Sequence, residues 1–138
     1  KTLFKFGLVG FTGTFIDFVI YKIMIAQFGL PPASSKAIST EVAILNNFIL
    51  NNAWTFRSRK THTNVWQRAL IFNLVSLGGL AIAVLIVKFL HDSYGEGNIN
   101  IWGIEMALNN FYFFATIPPV MIWNFSVNHF VTWRKKKD

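Results

Sequence analysis

The feature that most constrains this chain is a set of four long apolar stretches that contain few charged residues. They cover residues 3–28, 33–56, 65–90 and 107–133. Each is long enough to cross a hydrocarbon core, which takes about 20 apolar residues. A soluble domain of 138 residues could not bury four such stretches, and charged residues make up only 14% of the chain, against about a quarter in soluble domains. The pattern predicts an all-α membrane protein with four transmembrane helices in a single domain.

The second stretch carries an unusual run of polar side chains, EVAILNNFILNNAWTFR, from Glu41 to Arg57. At about 100° per residue, Asn47, Asn51 and Trp54 fall in one stripe of a helix. Amides and a carboxylate at this depth are costly unless they face protein or water. We therefore expect this helix to turn its polar surface toward other helices.

A weaker copy of this pattern lies 77 positions later, near the C-terminus. A shorter similarity, at an offset of 66, relates FGLVGFTG in the first stretch to FNLVSLGG in the third. Two related hairpins separated by an even number of spans have the same orientation, so the chain is predicted to consist of two parallel-repeat helical hairpins. The second copy comprises Asn124, Asn128 and Arg134, which match Asn47, Asn51 and Arg57.

The two halves of the second hairpin are separated by an extra segment. It contains Asp92, Gly95, Glu96 and Gly97, which indicate a loop, and then an apolar run that is predicted to lie on the membrane surface. Within the fourth stretch, Pro118-Pro119 is expected to interrupt or kink the helix, because proline removes a backbone hydrogen bond.

Two carboxylates lie inside the predicted spans, Asp17 in the first and Glu41 in the second. Each ionised group costs about 2.5–3.5 kcal/mol on an insertion scale, which makes a functional role the default expectation. They are predicted to serve as polar lining or as a proton-carrying group. The structural alternatives are protonation and pairing with Lys22, Lys36 or Lys88.

The distribution of lysine and arginine predicts the orientation of the chain. Ten of the 13 lie at the two ends of the chain and in the polar loop between the second and third spans, whereas three lie on the opposite side. The positive-inside rule then places both termini in the cytoplasm of a multi-pass cell-membrane protein. The net charge of +7 follows the ends of apolar segments, so it indicates a membrane surface and not nucleic acid.

Several kinds of site find no support in the sequence. The chain has no cysteine, and its three histidines are scattered without the spacing of metal ligands. No phosphate-cradling glycine-rich loop is visible. We expect no catalytic residue, no metal and no cofactor, and any enzymatic chemistry would belong to a domain that precedes Lys1.

At this point the residues carry a family resemblance. The run E-x-x-I-L-N-N-F-x-x-N-x-x-W-T-F-R that ends at Arg57 resembles the signature of the GtrA-like family of four-span membrane proteins, and FNLVSLGG and WNFSVNHFVTW are similar to the same family. The resemblance covers nearly the whole chain, although the doubled asparagines at 46–47 and 51–52 depart from the barest pattern. The family includes proteins thought to move polyprenyl-phosphate-linked sugars across membranes. It also includes the membrane domain of some dolichol-phosphate mannose synthases.

The resemblance implies a polyprenyl-phosphate-linked sugar as partner, handled within the lipid bilayer for cell-surface glycan synthesis. Arg57 and Arg134 would bind the phosphate through charge-assisted hydrogen bonds, and Arg59 and Lys60 would add positive potential. For each cation the alternative is simple anchoring at the interface. The four matching asparagines would bond sugar hydroxyls, or instead hold helices together at about 0.6–2 kcal/mol per bond; these are Asn47, Asn51, Asn124 and Asn128.

Three hypotheses therefore stand. The first is a flippase for the lipid-linked sugar, and the second is a membrane module that anchors a fused or separate glycosyltransferase or presents its lipid acceptor. The third is a small proton-coupled exporter with Asp17 or Glu41 as the coupling acid. A homo-oligomer is a further expectation, because four short helices enclose little volume.

Overall fold

A computed structural model describes residues 1–137, apart from the side chains of residues 32 and 33. The described residues form four long helices and a small β-hairpin that lies before the fourth helix. α2 and α4 each continue directly into a five-residue π-helix, here called π1 and π2. The elements are α1 (Thr2–Ala26), α2 (Pro32–Leu50), π1 (Asn51–Thr55), α3 (Val65–Tyr94), β1 (Asn98–Ile101), β2 (Ile104–Ala107), α4 (Leu108–Val127) and π2 (Asn128–Thr132).

The ends of the helices follow from local sequence. α2 begins with a proline at its first position, where a missing N–H costs nothing. α3 begins with a capping box in which Asn64 Oδ1 accepts from Gln67 N at 2.9 Å, while Gln67 Oε1 accepts from Asn64 N at 3.2 Å. It ends at Gly95, whose φ of 72° is easily adopted only by glycine.

The structure differs from expectation in the segment before α4, which contains strands, and at the two prolines, where α4 is unbroken. The extra segment is not a surface loop alone, since β1 and β2 pair antiparallel, so the fold is not strictly all-α. The alternating NINI of β1 suits a strand, and Trp102 and Gly103 both have the positive φ that a tight hairpin turn requires. Pro118 and Pro119 do not interrupt α4, which continues through both. In lipid a broken helix would leave backbone groups without partners, which favours an unbroken one.

The distribution of exposed and buried side chains is the reverse of that in a water-soluble protein. Large apolar residues cover the outside of α1 and α3, for example Phe11 at 74% exposure and Leu85 at 66%. Polar residues lie inside, with Asn51 at 1% and Asn128 at 0%. α1 and α3 are the helices of the described residues that are long and apolar enough to cross a membrane, with mean hydropathies of 1.6 and 2.6.

α1 packs chiefly against α2, and α3 packs chiefly against α4, forming a first and a second helical pair. The two pairs meet at a buried aromatic cluster at one end. Phe56 stacks on Trp133 with ring centroids 4.4 Å apart, and these two positions are related by the offset of 77. The cluster consists of Phe6, Phe48, Phe56, Phe72 and Trp133, with Phe125 packed against it.

Two contacts across this cluster are reciprocal. The ring centroids of Phe6 in the first pair and Phe125 in the second are 5.6 Å apart, and those of Phe72 in the second pair and Phe48 in the first are 5.8 Å apart. The offsets of 66 and 77 match Phe6 with Phe72 and Phe48 with Phe125. These two contacts are therefore counterparts with the two pairs exchanged.

Within each pair, a glycine allows an asparagine to approach. A Cβ built on Gly13 would lie 2.2 Å from Asn47 Oδ1, and one built on Gly79 would lie 3.0 Å from Asn124 Oδ1. These glycines match at the offset of 66, and the asparagines match at 77. Both pairs thus use a small residue where a polar side chain crosses between helices, as is common in membrane interfaces.

We predict that Gly13→Ala destabilises the protein by about 1–3 kcal/mol, because the added methyl group would have to displace the side chain of Asn47, whose Oδ1 is buried. The matched control is Gly10→Ala in the same helix, where a Cβ meets nothing within 4 Å. Thermal unfolding of both variants in detergent, followed by tryptophan fluorescence, measures the difference. Equal melting temperatures for the two variants would contradict this account of the contact.

Candidate functional site

An amide-rich seam runs through the interior along α2, π1, α4 and π2. Asn128 is fully satisfied, because its Nδ2 donates to Asn124 O at 2.7 Å and its Oδ1 accepts from the Thr132 hydroxyl at 2.6 Å. Its counterpart Asn51 is equally buried, but no protein group bonds its Oδ1. Asn128 therefore has a structural role at the junction of α4 and π2. Asn51 has an oxygen available for another partner.

A small cavity of about 70 Å³ lies at the centre of the seam. The Oδ1 atoms of Asn47, Asn51 and Asn124 are buried and have no hydrogen-bond partner within the protein. The space suits about two waters, each taking roughly 30 Å³, and is far below the roughly 300–1,000 Å³ of small-molecule sites. The lining residues are Phe6, Gly10, Asn47, Asn51, Phe72, Ser76 and Asn124.

The two carboxylates bond to neighbouring helices. Asp17 on α1 accepts from the Ser39 hydroxyl of α2 at 2.6 Å and from Lys36 Nζ at 2.5 Å. Glu41 Oε1 accepts from Asn73 Nδ2 of α3 at 2.6 Å, which links the first helical pair to the second. These partners reduce the cost of placing the two carboxylates within apolar helices. Asp17 is half-buried, whereas Glu41 is exposed.

Arg57 and Arg134 each lie two residues after the end of a π-helix, and both are exposed. They line two different grooves, so both guanidinium groups could bind one phosphate only if the helices were arranged differently. Groove A has a volume of about 570 Å³ and groove B about 560 Å³. Groove A is lined by Lys1, Thr2, Lys5, Trp54, Thr55, Arg57 and Ser58. Groove B is lined by His62, Thr63, Val131, Arg134, Lys135 and Lys137.

Arg59 lies in neither groove and is bonded to the end of the fourth helix. Its Nη1 donates to the backbone oxygens of His129 at 2.8 Å and Trp133 at 3.1 Å, and its Nη2 lies 2.8 Å from His129 Nε2. Burial lowers the pKa of the Arg59 guanidinium from its ordinary value, although arginine stays charged in proteins. A cation at these carbonyls also complements the negative end of the helix dipole. Lys60 is exposed, and its backbone oxygen accepts from Lys136 N at 2.9 Å.

Two residues of this end were missed in the sequence, His129 and Asn52. Asn52 Oδ1 accepts from Trp133 Nε1 and from Arg68 Nε, each at 3.2 Å. Asn52 and His129 occupy matching positions at the offset of 77, and each contacts the aromatic residue of the opposite pair. The offset of 77 could have identified them in the sequence, because it places the amide of Asn52 and the imidazole of His129 at matching positions although the two residue types differ.

The fold and this seam define a class of protein. Many large apolar side chains face outward, the amides of Asn51 and Asn128 are buried, and cations line the grooves next to the π-helices, as expected of a helical membrane protein. Among the described residues, no group of three histidine, aspartate or glutamate side chains could hold a metal ion.

Comparison with known families agrees with this class. Residues 5–133 match the model of the GtrA/DPMS transmembrane domain, so the chain belongs to that family. It is also similar to a dolichol-phosphate mannosyltransferase of Pyrococcus furiosus, with 26% identity over 119 residues that cover 81% of this chain. The match covers 33% of that protein, so the chain spans about a third of the length of this relative.

We predict that Arg59→Ala lowers the free energy of unfolding by about 1.5–3 kcal/mol, since buried carbonyls would lose charge-assisted hydrogen bonds. Arg57→Ala is the matched control, because that side chain is exposed and makes no hydrogen bond within the described residues. Thermal unfolding in detergent measures both. A loss of stability that is equal in the two variants would show that the Arg59 contacts have no special structural weight.

Proposed function

We propose that this chain is a membrane domain that handles polyprenyl-phosphate-linked sugars and moves them across the bilayer. The observation that carries the proposal is the presence of buried amide groups in the interior together with an arginine-bearing groove at the end of each helical pair that none of the described acidic residues lines. The long isoprenoid stays in lipid, while the sugar and the phosphate require a polar route. Seam and grooves provide the two kinds of polar group that such a substrate needs.

The phosphate would bind at the basic end. Arg57 and Arg134 are exposed and have their donors free for a ligand, whereas Arg59 is already bonded to carbonyl groups. Arginine binds phosphate oxygens in a planar, two-pronged geometry. We therefore assign phosphate binding to Arg57 and to Arg134, each in its own groove. Arg59 has a structural role, because it holds the end of the fourth helix.

The sugar would pass along the seam. Asn47, Asn51 and Asn124 present amide oxygens that no protein group occupies, and such oxygens accept hydrogen bonds from sugar hydroxyls. The 70 Å³ cavity is closed to a sugar, so passage requires the two helical pairs to separate. The contacts between the pairs that such a motion would break include the Glu41–Asn73 bond, the aromatic cluster and the bonds that Asn52 accepts from Trp133 and Arg68.

A second candidate is a membrane module that anchors a glycosyltransferase or presents its lipid acceptor. The observation that favours it is the similarity to a mannosyltransferase about three times as long as the matched part. In this reading the domain itself performs no chemistry, and the basic end holds the acceptor phosphate beside a catalytic domain. The exporter hypothesis gains no such support, because both Asp17 and Glu41 are engaged by other helices.

We also propose that all four helices cross the membrane and that the two helical pairs are repeats with the same orientation. The matching pairs Gly13–Asn47 and Gly79–Asn124, together with the reciprocal aromatic contacts, support a two-fold axis along the membrane normal. Both termini and the loop between α2 and α3 would then lie in the cytoplasm, by the positive-inside rule.

Translocation is tested in vesicles that contain the purified chain and a fluorescent polyprenyl-phosphate sugar. We predict that Arg57→Ala and Arg134→Ala each slow the transfer at least about tenfold, because each removes charge-assisted bonds worth about 1.5–3 kcal/mol. Lys22→Ala, which removes an exposed cation distant from both grooves in sequence, is the control. Transfer at the wild-type rate in both arginine variants would refute the phosphate assignment. A wild-type chain that transfers nothing, but accelerates a co-reconstituted glycosyltransferase, would favour the second candidate.

The orientation is tested with single cysteines, since the chain has none of its own. We predict that Trp102→Cys in the β-hairpin turn, where the side chain is 99% exposed, reacts with a membrane-impermeant maleimide applied outside intact cells. Ser58→Cys in the loop after π1 should react only after the cells are opened. Reaction of both from the same side would rule out the proposed topology.

A further inference from the structure

The two basic grooves at the cytoplasmic end share no lining residue. Groove A lies between the start of α1 and the end of π1, and groove B lies between the loop that precedes α3 and the end of π2 with the residues that follow it. The offset of 77 relates Trp54, Arg57 and Ser58 of groove A to Val131, Arg134 and Lys135 of groove B. The two grooves thus match on the side of the π-helices, whereas their other sides come from the start of α1 and from the loop before α3.

The charge of both grooves has one sign. Lys5 and Arg57 line groove A, and groove B is lined by Arg134, Lys135 and Lys137. None of the described acidic residues lines either groove, since the sequence has no acid between residues 1 and 16, 42 and 91, or 106 and 137. Clusters of lysine and arginine without a carboxylate attract anionic lipid headgroups at the cytoplasmic face.

Groove A also has specific features beyond its charge. Lys5 Nζ lies 5.1 Å from the centroid of the Trp54 ring, a cation–π contact that holds the lysine over the groove. The Thr55 side chain is more than nine-tenths buried, and its hydroxyl has no protein partner although it borders the groove. A phosphate oxygen could accept the hydrogen bond that this hydroxyl does not donate within the protein.

The two grooves are kept apart by the buried stack of Phe56 on Trp133. Phe56 lies between Thr55 and Arg57 of groove A, and Trp133 directly precedes Arg134 of groove B. The rings are 2% and 1% exposed, so no polar path joins the grooves through this stack. The volume of each groove falls within the roughly 300–1,000 Å³ typical of small-molecule sites.

We infer that each helical pair has its own site for the phosphate ester of a membrane lipid, and that one chain binds two such lipids at once. Arg57 with Lys5 forms the first site, and Arg134 with Lys135 forms the second. This inference rests on the proposed function for the nature of the lipid. It changes the role of the matching arginines, because they serve two phosphates and not one.

The test is native mass spectrometry of the full chain in detergent, titrated with farnesyl phosphate as a short isoprenyl phosphate. The wild-type chain should take up two molecules. Lys5→Ala/Arg57→Ala and Arg134→Ala/Lys135→Ala should each lose one of them, with an affinity at the altered site at least about tenfold weaker. Inorganic phosphate at high concentration should displace both if the headgroup provides the binding, whereas phosphatidylglycerol shows whether a phosphodiester lipid uses the same sites.

The control is Lys22→Ala/Lys88→Ala, which also removes two exposed cations at matching positions but leaves both grooves intact. It should still bind two molecules. A single bound molecule that is lost in either groove variant would overturn the inference in favour of one shared site, and two molecules retained in both variants would overturn it as well. Binding of two lipids by a chain that does not translocate them would refute translocation and leave this inference standing.

Discussion

The structure depends on the cost of a polar side chain in hydrocarbon. An amide or carboxylate that faces lipid forfeits its hydrogen bonds to water, so α2 and α4 must turn their polar surfaces toward each other and toward α1 and α3. The burial of Asn51 and Asn128, beside exposed phenylalanines on α1, follows from this constraint. Because lipid tails are as apolar as leucine, the helices are held by close approach and polar contacts and not by exclusion of water. Gly13 opposite Asn47 combines both.

The end at which the cations gather is organised differently, around stacked rings. Phe56 and Trp133 occupy matching positions and meet face to face, and each is contacted by a polar residue of the opposite helical pair. Each of these two residues directly follows a π-helix. A π-helix has about one more residue per turn than an α-helix, which changes the direction in which the next side chain points. Arg59 then closes the end of π2 by bonding its carbonyl groups. The basic grooves therefore lie next to closely packed aromatic rings, whereas the seam between the pairs contains a cavity.

This contrast bears on mechanism. A cavity of about 70 Å³ with three unpartnered amide oxygens is a polar space that has room for water and not for a sugar. The grooves are open and, in the proposed orientation, would lie where a headgroup first arrives from the cytoplasmic leaflet. A lipid-linked sugar would therefore be captured without any change in the fold, whereas its passage would require the helical pairs to part. Capture alone would suffice for a module that presents a lipid to an enzyme.

The sequence by itself determined which stretches are helical, that Asn47, Asn51, Asn124 and Asn128 would face inward, and which positions match at 66 and 77, because length, hydropathy and spacing follow directly from residue order. It did not reveal the β-hairpin, whose turn places Trp102 at a positive φ that its residue type does not favour. Only the tertiary structure decided which matching residues meet. Under the proposed two-fold relation of the halves, matching residues would touch only near the axis. Phe56 and Trp133 stack on each other, whereas Arg57 and Arg134, one position further along the chain, line separate grooves.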